Sequence, residues 1–396
     1  MDTSNNKTAS GFYGFGLTLR SAQICGTNSL PGGSLVGINI ALRCRSSDEN
    51  MKALLLAKYD HLEVADLPVP VPAPGEVLVR VAACGICGSD VHGYDGSSGR
   101  RIPPLVMGHE AAGTIAALGS DVTNFQEGDR VTFDSTVSCG SCSFCVRGEV
   151  NLCNSRQVLG VSCGDYKRAG AFAEYIAVPS RIVYRLPESL AFAEAAMLEA
   201  LAVAVHAVDI TRVSPGSRAL VVGAGTIGIL LLQCLRAAGC CTVFIADVDN
   251  TRLVLARTLS ASEVFLAGED LAEKVRALTG GLGVDVVMEA VGKEETICLA
   301  VDTVRKGGKI GLVGNIAPHI ALPLQKIVTR QIRLQGCCAS AGEYPRAIEL
   351  LASRAVQVKP LISAVRPLEE GPEWFARLHA REPNLLKVVL TPGASA

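Results

Sequence analysis

The sequence predicts a molecule with a β-rich part and an α/β part, the latter a doubly wound parallel sheet with helices on both faces. Two observations support this. From Met51 to about Pro187, short strand-like runs are separated by Pro, Gly and Asp. Past Leu190, apolar strands alternate with stretches of helical period, which is typical of βαβ units. A length of 396 residues suits two or so domains.

The residues before the first strand differ from the rest of the chain. Residues 1–50 are rich in Ser, Gly and Asn and contain few acidic residues. Three interpretations are open: a disordered extension, translation from an upstream start, or an organellar transit peptide. We place this stretch outside the folded body. The first strand is expected to begin at Met51.

The remaining elements follow in chain order. The clearest strands of the β-rich part are Val77–Val81, Gly113–Ala117 and Arg130–Phe133. In the α/β part the predicted strands are Arg218–Val222, Thr242–Ala246, Val264–Ala267, Val284–Met288 and Lys309–Val313. Helical period is clearest in Ile227–Ala238 and Leu271–Leu278.

Composition excludes several classes of function. A net charge of −1 argues against a nucleic-acid partner, because phosphate binding needs a basic surface. The chain has no apolar run of the ~18 residues that a membrane span requires. Most of the 15 cysteines are scattered, which favours a reducing, cytoplasmic setting.

Four of the cysteines are not scattered but lie close together in the sequence. Cys139, Cys142, Cys145 and Cys153 have the spacing C-x2-C-x2-C-x7-C, which can place four thiolates around one zinc ion. A pair of disulfides is the alternative, but such frameworks belong to small secreted domains. We interpret residues 139–153 as a structural zinc lobe, and any catalytic metal must lie elsewhere.

A glycine motif follows the first strand of the α/β part. Gly223, Gly225 and Gly228, with Ile227 between the last two, form G-x-G-x-x-G between a strand and a helix. In that context the glycines allow a tight turn, approach of a pyrophosphate and close packing of helix on strand. The motif predicts a Rossmann domain that binds a nicotinamide dinucleotide.

Asp247 lies at the end of the next strand, about 20 residues further on, where an acid binds the adenosine ribose hydroxyls. A carboxylate there would repel the 2′-phosphate of NADP. The sequence therefore predicts NAD, with NADP as the less favoured cofactor.

Two short stretches carry candidates for catalysis. Gly85–His92 contains Cys87, and Gly108–Gly113 contains His109. A catalytic zinc takes three protein ligands and keeps one position open. Cys87 could supply a thiolate and His109 an imidazole, but spacing alone does not identify the third ligand. Asp90 is predicted to accept the other ring N–H of His109.

The run from Gly108 through Gly119 to Val122 resembles the zinc signature of the medium-chain alcohol dehydrogenases. Gly85–His92, the cysteine lobe and the glycine motif follow in that family's order, and the likeness covers Met51 to the end. It is strongest to the sorbitol (iditol) and butanediol dehydrogenase branch. Glu199, in Met197–Leu201, is thereby implied as the third residue of the metal site, directly or through water. Ala200 stands where the family usually has Pro.

The resemblance also implies an architecture. A GroES-like, partly open β-barrel catalytic domain would comprise residues 51–200 and 343–396, with the Rossmann domain, 201–342, inserted between them. The cofactors implied are two zinc ions per chain and NAD. Family members pair through their nucleotide domains, so a homodimer or homotetramer is expected.

The same family implies roles for individual residues. Hydride would pass from a secondary alcohol to NAD, and Ser89 and His92 would relay the proton to solvent. Glu110 would lie behind the metal or serve packing, and His206 is interpreted as structural. The remaining predicted cofactor contacts are Arg252, at the adenosine ribose, with Val313 and Gly314.

The sequence leaves several classes of alcohol open as the substrate. Polyol-oxidising relatives carry an arginine that contacts the sugar chain, but the corresponding stretch, Gln335–Ser340, has none. A polyol, a diol and a cyclitol all stay open, as does a phosphorylated polyol or an L-threonine-type substrate. The loop Asp165–Arg168 could line the cleft or be a solvated turn. A non-catalytic dinucleotide-binding or redox-sensing protein would have a broken metal set, and here the set is present.

Overall fold

The computed structural model describes residues 49–163 and 166–393, and these residues belong to one compact unit. The predicted extension therefore lies almost wholly outside the described residues. The first strand begins at Asn50, one residue before the predicted start. Within the described ranges, no helix is long and apolar enough to cross a membrane.

The chain before the α/β part contributes twelve of the described strands to the β-rich part. They are β1 (Asn50–Lys58), β2 (His61–Pro68), β3 (Glu76–Gly85), β4 (Leu105–Val106), β5 (Glu110–Leu118), β6 (Arg130–Phe133), β7 (Thr136–Val137), β8 (Gln157–Val158), β9 (Val161–Cys163), β10 (Tyr166–Arg168), β11 (Tyr175–Pro179) and β12 (Val183–Arg185). The predicted run Arg130–Phe133 matches β6, and the other two predicted runs lie inside β3 and β5.

Helices in this part are short. They are α1 (Gly88–Tyr94), α2 (Ser143–Val146) and α3 (Phe192–Ala195), followed by the longer α4 (Leu198–Ile210) that leads into the α/β part. A 3₁₀ turn, Val150–Leu152, lies inside the cysteine lobe.

The α/β part alternates strands with helices. Its strands are β13 (Arg218–Val222), β14 (Thr242–Asp247), β15 (Glu263–Leu266), β16 (Val284–Glu289), β17 (Val304–Leu312) and β18 (Arg333–Gly336). Its helices are α5 (Thr226–Ala237), α6 (Asn250–Thr258), α7 (Leu271–Leu278), α8 (Glu294–Thr303) and α9 (Leu324–Thr329). The six strands form one parallel sheet in the order β15-β14-β13-β16-β17-β18.

The central strands of this sheet are apolar on both faces because helices cover both. One core cluster packs α4 and α5 against β13 and β14, and a second fills the opposite face with residues such as Leu220, Phe244 and Val301. The doubly wound sheet predicted from the alternating pattern is confirmed.

One strand is longer than predicted. The sequence indicated Lys309–Val313, but β17 begins at Val304. Gly307 and Gly308 look like a turn in the sequence, and Gly307 does have a positive φ of 68°. The structure accommodates them through a register irregularity opposite Val284, after which the pairing with β16 continues.

After the α/β part the chain returns to the β-rich part. The returning elements are α10 (Tyr344–Ala352), β19 (Ile362–Pro367), α11 (Gly371–His379) and β20 (Lys387–Thr391). β20 pairs with β3, so the last strands extend the seven-stranded sheet β12-β6-β5-β3-β20-β19, in which β11 also pairs with β3. The predicted α/β-plus-β fold class is confirmed.

Candidate active site and metal centres

The end of β3 and the start of β5 bring three potential metal ligands together. Gly85 pairs with Glu110 across these strands, and two residues after Gly85 the chain places Cys87 at the N-cap of α1. The ligand atoms of Cys87, His109 and Glu110 all lie within 4.8 Å of one another. The structure therefore unites the two ligands predicted from the sequence and adds a carboxylate.

Next to this group, the buried carboxylate of Asp90 links His109 to a cation. Asp90 Oδ1 lies 3.3 Å from Nδ1 of His109 and accepts a hydrogen bond of 2.9 Å from Nη2 of Arg101. Burial raises the pKa of Asp90, but His109 and Arg101 outweigh burial and hold this pKa well below its usual range. Asp90 thus lies within ion-pair distance of the imidazole of His109, although among the described residues Nδ1 has no hydrogen-bond partner of good geometry.

Glu110 forms an ion pair with Lys387, the first residue of β20. Nζ of Lys387 lies 2.6 and 2.9 Å from the two carboxylate oxygens and donates to the carbonyl of Ile86 at 3.1 Å. Both side chains are almost completely buried. Burial lowers the pKa of Lys387, but Glu110 outweighs burial and raises this pKa above its ordinary value. This buried pair therefore lies directly beside Cys87 and His109.

Glu199 lies near the same group, in the first turn of α4. Its ligand atom does not fall within the 4.8 Å cluster, and Oε1 accepts a hydrogen bond of 3.1 Å from Ser135. The residue is half-buried, but its carboxylate is shielded from water. That desolvation raises the pKa of Glu199 to about 7, His109 lowers it, and Glu110 raises it. Glu110 and Glu199 are therefore two candidates for the third ligand.

The charges around this group suit a divalent metal ion. The pairs Arg101–Asp90 and Lys387–Glu110 each balance internally. Zn²⁺ binds cysteine as the thiolate and histidine as the neutral imidazole, so its charge would offset that of the thiolate and of a carboxylate ligand. A set of Cys, His and carboxylate ligands is typical of catalytic zinc sites.

The two predicted relay residues lie on α1. Ser89 and His92 are both exposed, and a spacing of three residues places them on the same side of the helix. Ser89 Oγ accepts a hydrogen bond of 3.0 Å from Nη2 of Arg101. Their role as a relay stays a prediction.

The four lobe cysteines converge on one point. Their sulfur atoms all lie within 4.8 Å of one another, and all four are free thiols. Backbone N–H groups of Ser141 and Cys142 lower the pKa of Cys139 to about 6. Hydrogen bonds that stabilise a thiolate prepare it for a metal, so the lobe fits a second, closed zinc site.

The glycine motif has the geometry expected of a dinucleotide turn. Gly223 directly follows β13 and has a φ of 98°, which side-chain-bearing residues rarely adopt. A Cβ on Gly228 would lie 1.7 Å from the carbonyl oxygen of Gly223, so helix and strand pack too closely for any other residue. Gly225, the N-cap of α5, faces open space, and there the backbone can approach a phosphate.

Asp247 lies beside this turn, at the end of β14. Its Oδ2 accepts a hydrogen bond of 2.5 Å from the N–H of Ala224, and its Oδ1 accepts one of 2.9 Å from Asp249. The carboxylate thus borders the glycine motif, where the adenosine ribose is expected. Arg252, on α6, is partly exposed, with Nε 3.5 Å from Asp249.

The last two predicted cofactor contacts follow β17. Val313 donates its N–H to the carbonyl of Glu289, and Gly314 packs against the neighbouring turn. A Cβ on Gly314 would lie 2.2 Å from backbone atoms of Val291 and Gly292. The structure therefore gives Gly314 a packing reason for being glycine, and contact with the cofactor stays a prediction.

Sequence reasoning missed Arg101, Lys387 and Ser135. Lys387 gave a weak signal, as a single charge at the start of the apolar run Lys387–Thr391. Arg101 gave none, because an arginine in a polar loop is normally exposed. These residues reach the site through contacts that no local pattern encodes.

Two family models match the chain. The alcohol dehydrogenase GroES-like domain matches residues 73–188, and the zinc-binding dehydrogenase domain matches residues 226–353. The sorbitol dehydrogenase of Bacillus subtilis (strain 168) is 35% identical over 349 residues, which are 87% of this chain and 98% of the relative. This chain belongs to the zinc-dependent medium-chain alcohol dehydrogenases.

Other comparisons agree. The L-idonate 5-dehydrogenase of Vitis vinifera is 34% identical, over 83% of this dehydrogenase and 92% of the relative. The crystal structure of an Escherichia coli oxidoreductase/dehydrogenase of unknown specificity has a TM-score of 0.82 at 31% identity, covering 87% of this chain and 99% of that one. The family and the sorbitol-type branch predicted from the sequence are confirmed, and so is the enzyme class.

The loop residues considered for the substrate are partly engaged elsewhere. Lys167 donates to the carbonyl of Pro103 at 3.1 Å, and Arg168 pairs with Glu76 at 3.1 Å. Asp165 and the side chain of Tyr166 lie outside the described residues. A substrate phosphate would have to displace these contacts, so a phosphorylated substrate is not favoured.

Proposed function

We propose that this dehydrogenase oxidises a secondary hydroxyl of a polyol to a ketone, with NAD as hydride acceptor. The observation that carries the proposal is the convergence of Cys87, His109 and a buried carboxylate at one point. The names of the matched sorbitol and L-idonate dehydrogenases support the substrate class. Vicinal diols and cyclitols present the same group and are further candidates.

In this proposal Cys87 and His109 hold the catalytic zinc with a carboxylate, either Glu199, directly or through water, or Glu110. When bound, zinc acts as a Lewis acid that lowers the pKa of an alcohol hydroxyl. Ser89 takes up the hydroxyl proton and His92 passes it to solvent, which their shared exposed side of α1 allows.

The cysteine lobe holds a second zinc ion in the proposal, which gives two per chain. NAD lies along the carboxyl ends of β13 and β14, with its pyrophosphate at the N-terminus of α5 and its adenosine ribose at Asp247 and Arg252. Val313 and Gly314 border the nicotinamide side.

We also assign residues 51–200 and 343–396 to the catalytic domain and 201–342 to the NAD domain. The protein is expected to assemble as a homodimer or homotetramer. Light scattering would then give two or four times the chain mass of 41.4 kDa.

The decisive experiment measures NADH formation with linear polyols, vicinal diols, cyclitols and simple secondary alcohols, alongside zinc content by elemental analysis. We expect the enzyme to oxidise one class of these alcohols. The variant Cys87→Ala should lose this activity and should contain one zinc ion fewer per chain. Cys298→Ala is the matched control, since Cys298 is a half-buried cysteine on α8. Turnover that survives Cys87→Ala would reject the catalytic metal site.

A further inference from the structure

Arg101 is a buried cation that the proposed mechanism does not use. It lies between α1 and β4, and only 4% of its side chain is exposed. Its stem packs under α1 at Gly93, where a Cβ would come within 2.6 Å of Arg101 Cγ. Desolvation of a guanidinium is unfavourable, and the Nε atom has no hydrogen-bond partner. The cost of burying this cation must therefore be offset by its remaining contacts.

Its guanidinium connects the proposed relay residue Ser89 with the Asp90–His109 pair of the candidate metal site. One nitrogen, Nη2, donates to Ser89 Oγ at 3.0 Å and to Asp90 Oδ1 at 2.9 Å. The same Asp90 oxygen lies 3.3 Å from Nδ1 of His109. Asp90 alone would balance the charge of Arg101, so the contact with Ser89 goes beyond what charge balance requires.

The contact restricts the direction of the Ser89 hydroxyl. A guanidinium only donates hydrogen bonds, so Ser89 Oγ accepts from Arg101 and its own hydrogen must point elsewhere. Ser89 is exposed, which leaves that hydrogen free for an acceptor outside the helix. A hydroxyl that passes a proton must give up its own hydrogen in a defined direction while it takes up another.

We propose that Arg101 is a positioning residue that orients the Ser89 hydroxyl and, through Asp90, the zinc ligand His109. This inference rests on the proposed function. Arg101 contacts neither substrate nor metal here, and it acts only through its two neighbours. Lysine preserves the charge opposite Asp90, but its compact ammonium does not reproduce the planar donor geometry.

The first test uses Arg101→Lys and Arg101→Gln, with Arg100→Lys as control because the neighbouring Arg100 is exposed. Arg101→Lys is expected to lower kcat about 10–100-fold while the KM of the alcohol changes less than about threefold. Arg101→Gln leaves Asp90 without its cation and is expected to weaken zinc binding about 10–100-fold, measured by competition with a chelator. Arg100→Lys should change neither quantity.

The second test is a double-mutant cycle. If Arg101 affects turnover through the hydroxyl, Ser89→Ala and Ser89→Ala/Arg101→Lys will have the same kcat. Multiplicative losses would overturn the inference. So would an unchanged kcat in Arg101→Lys.

The outcomes separate this inference from the proposed function. A parent enzyme that carries two zinc ions, binds NADH and oxidises no member of the alcohol panel contradicts the function itself. If Arg101→Lys does not fold, Ser89→Ala decides, because that side chain is exposed. A lowered kcat with unchanged zinc affinity shows that the hydroxyl serves turnover, which the inference requires, and weakened zinc binding in Arg101→Gln then supports the part of Arg101. A full kcat in Ser89→Ala overturns the inference.

Discussion

Lys387 and Glu110 form an ion pair whose loss can be tested with one residue. Lys387→Met leaves the Glu110 carboxylate without its cation in a nearly dry environment. Because removal of one partner of a buried pair costs about 3–5 kcal/mol, we expect the Tm to fall by roughly 10 °C. Thermal unfolding followed by circular dichroism measures the change.

Lys58→Met serves as the control, since Lys58 is exposed at the end of β1. The double variant Lys387→Met/Glu110→Gln should recover part of the loss, because no unpaired charge is left. A Tm of Lys387→Met equal to that of Lys58→Met would show that the pair contributes nothing to stability.

Asp247 is the residue expected to select NAD. Asp247→Asn removes the negative charge that would repel the 2′-phosphate of NADP and leaves the shape of the side chain almost unchanged. We expect the ratio of kcat/KM for NADP to that for NAD to rise about tenfold, equivalent to ~1.4 kcal/mol. Steady-state kinetics with both cofactors measures it.

The matched control is Asp249→Asn, two residues further on. Asp249 is the N-cap of α6, where Asn serves nearly as well as Asp. An equal change of the cofactor ratio in both variants would mean that Asp247 has no special role in selection.

At the scale of secondary-structure elements, one imidazole connects three of them. Nδ1 of His206, on α4, lies 2.7 Å from Oε1 of Glu343, the N-cap of α10. Its Nε2 lies 3.3 Å from Nδ2 of Asn151, in the 3₁₀ turn of the cysteine lobe. The structural role predicted for His206 agrees with this position, and the contact should depend on pH.

Burial raises the pKa of Glu343, but hydrogen bonds from His206 and the N–H of Ala341 outweigh it and lower this pKa below its ordinary value of 4.5. A carboxyl with a lowered pKa stabilises the fold above its unfolded pKa, and this contribution is lost as pH falls through the folded value. We expect Glu343→Gln to lower the Tm at neutral pH. The difference from the parent should shrink as pH falls below about 4.5.

Thermal unfolding across this pH range gives the answer. Glu349→Gln, an exposed position on the same helix, is the control and should show no such dependence. A Tm difference for Glu343→Gln that is constant down to strongly acidic pH would contradict the assignment.

Elements whose signals are local were predictable from the sequence. Arg218–Val222 and Leu271–Leu278 match β13 and α7, because apolar period and flanking turn residues lie within each segment. The cysteine lobe was equally predictable from the sequence, since all four thiols come from 15 consecutive residues. The start of β17 was not, because its register irregularity depends on a neighbouring strand.

At the scale of the whole molecule, some residues of the candidate site could be predicted from local sequence and others could not. Cys87 and His109 could be predicted because each lies in a short motif. Lys387 could not, since it reaches Glu110 across 277 residues of sequence. The third ligand of the proposed zinc site has the same difficulty, because Glu110 and Glu199 approach from different elements and only their positions in space distinguish them.

The pairing of β20 with β3 has a consequence for synthesis on the ribosome. Val389 pairs with Gly85, so the sheet that carries Cys87 is completed by residues about 300 positions later. At about 5–20 residues per second, the nascent chain waits roughly 15–60 s for that strand. During this interval the α/β part with its six-stranded parallel sheet can fold, while part of one edge of β3 stays unpaired and open to non-native pairing. The reaction centre is thus among the last parts of the protein to form.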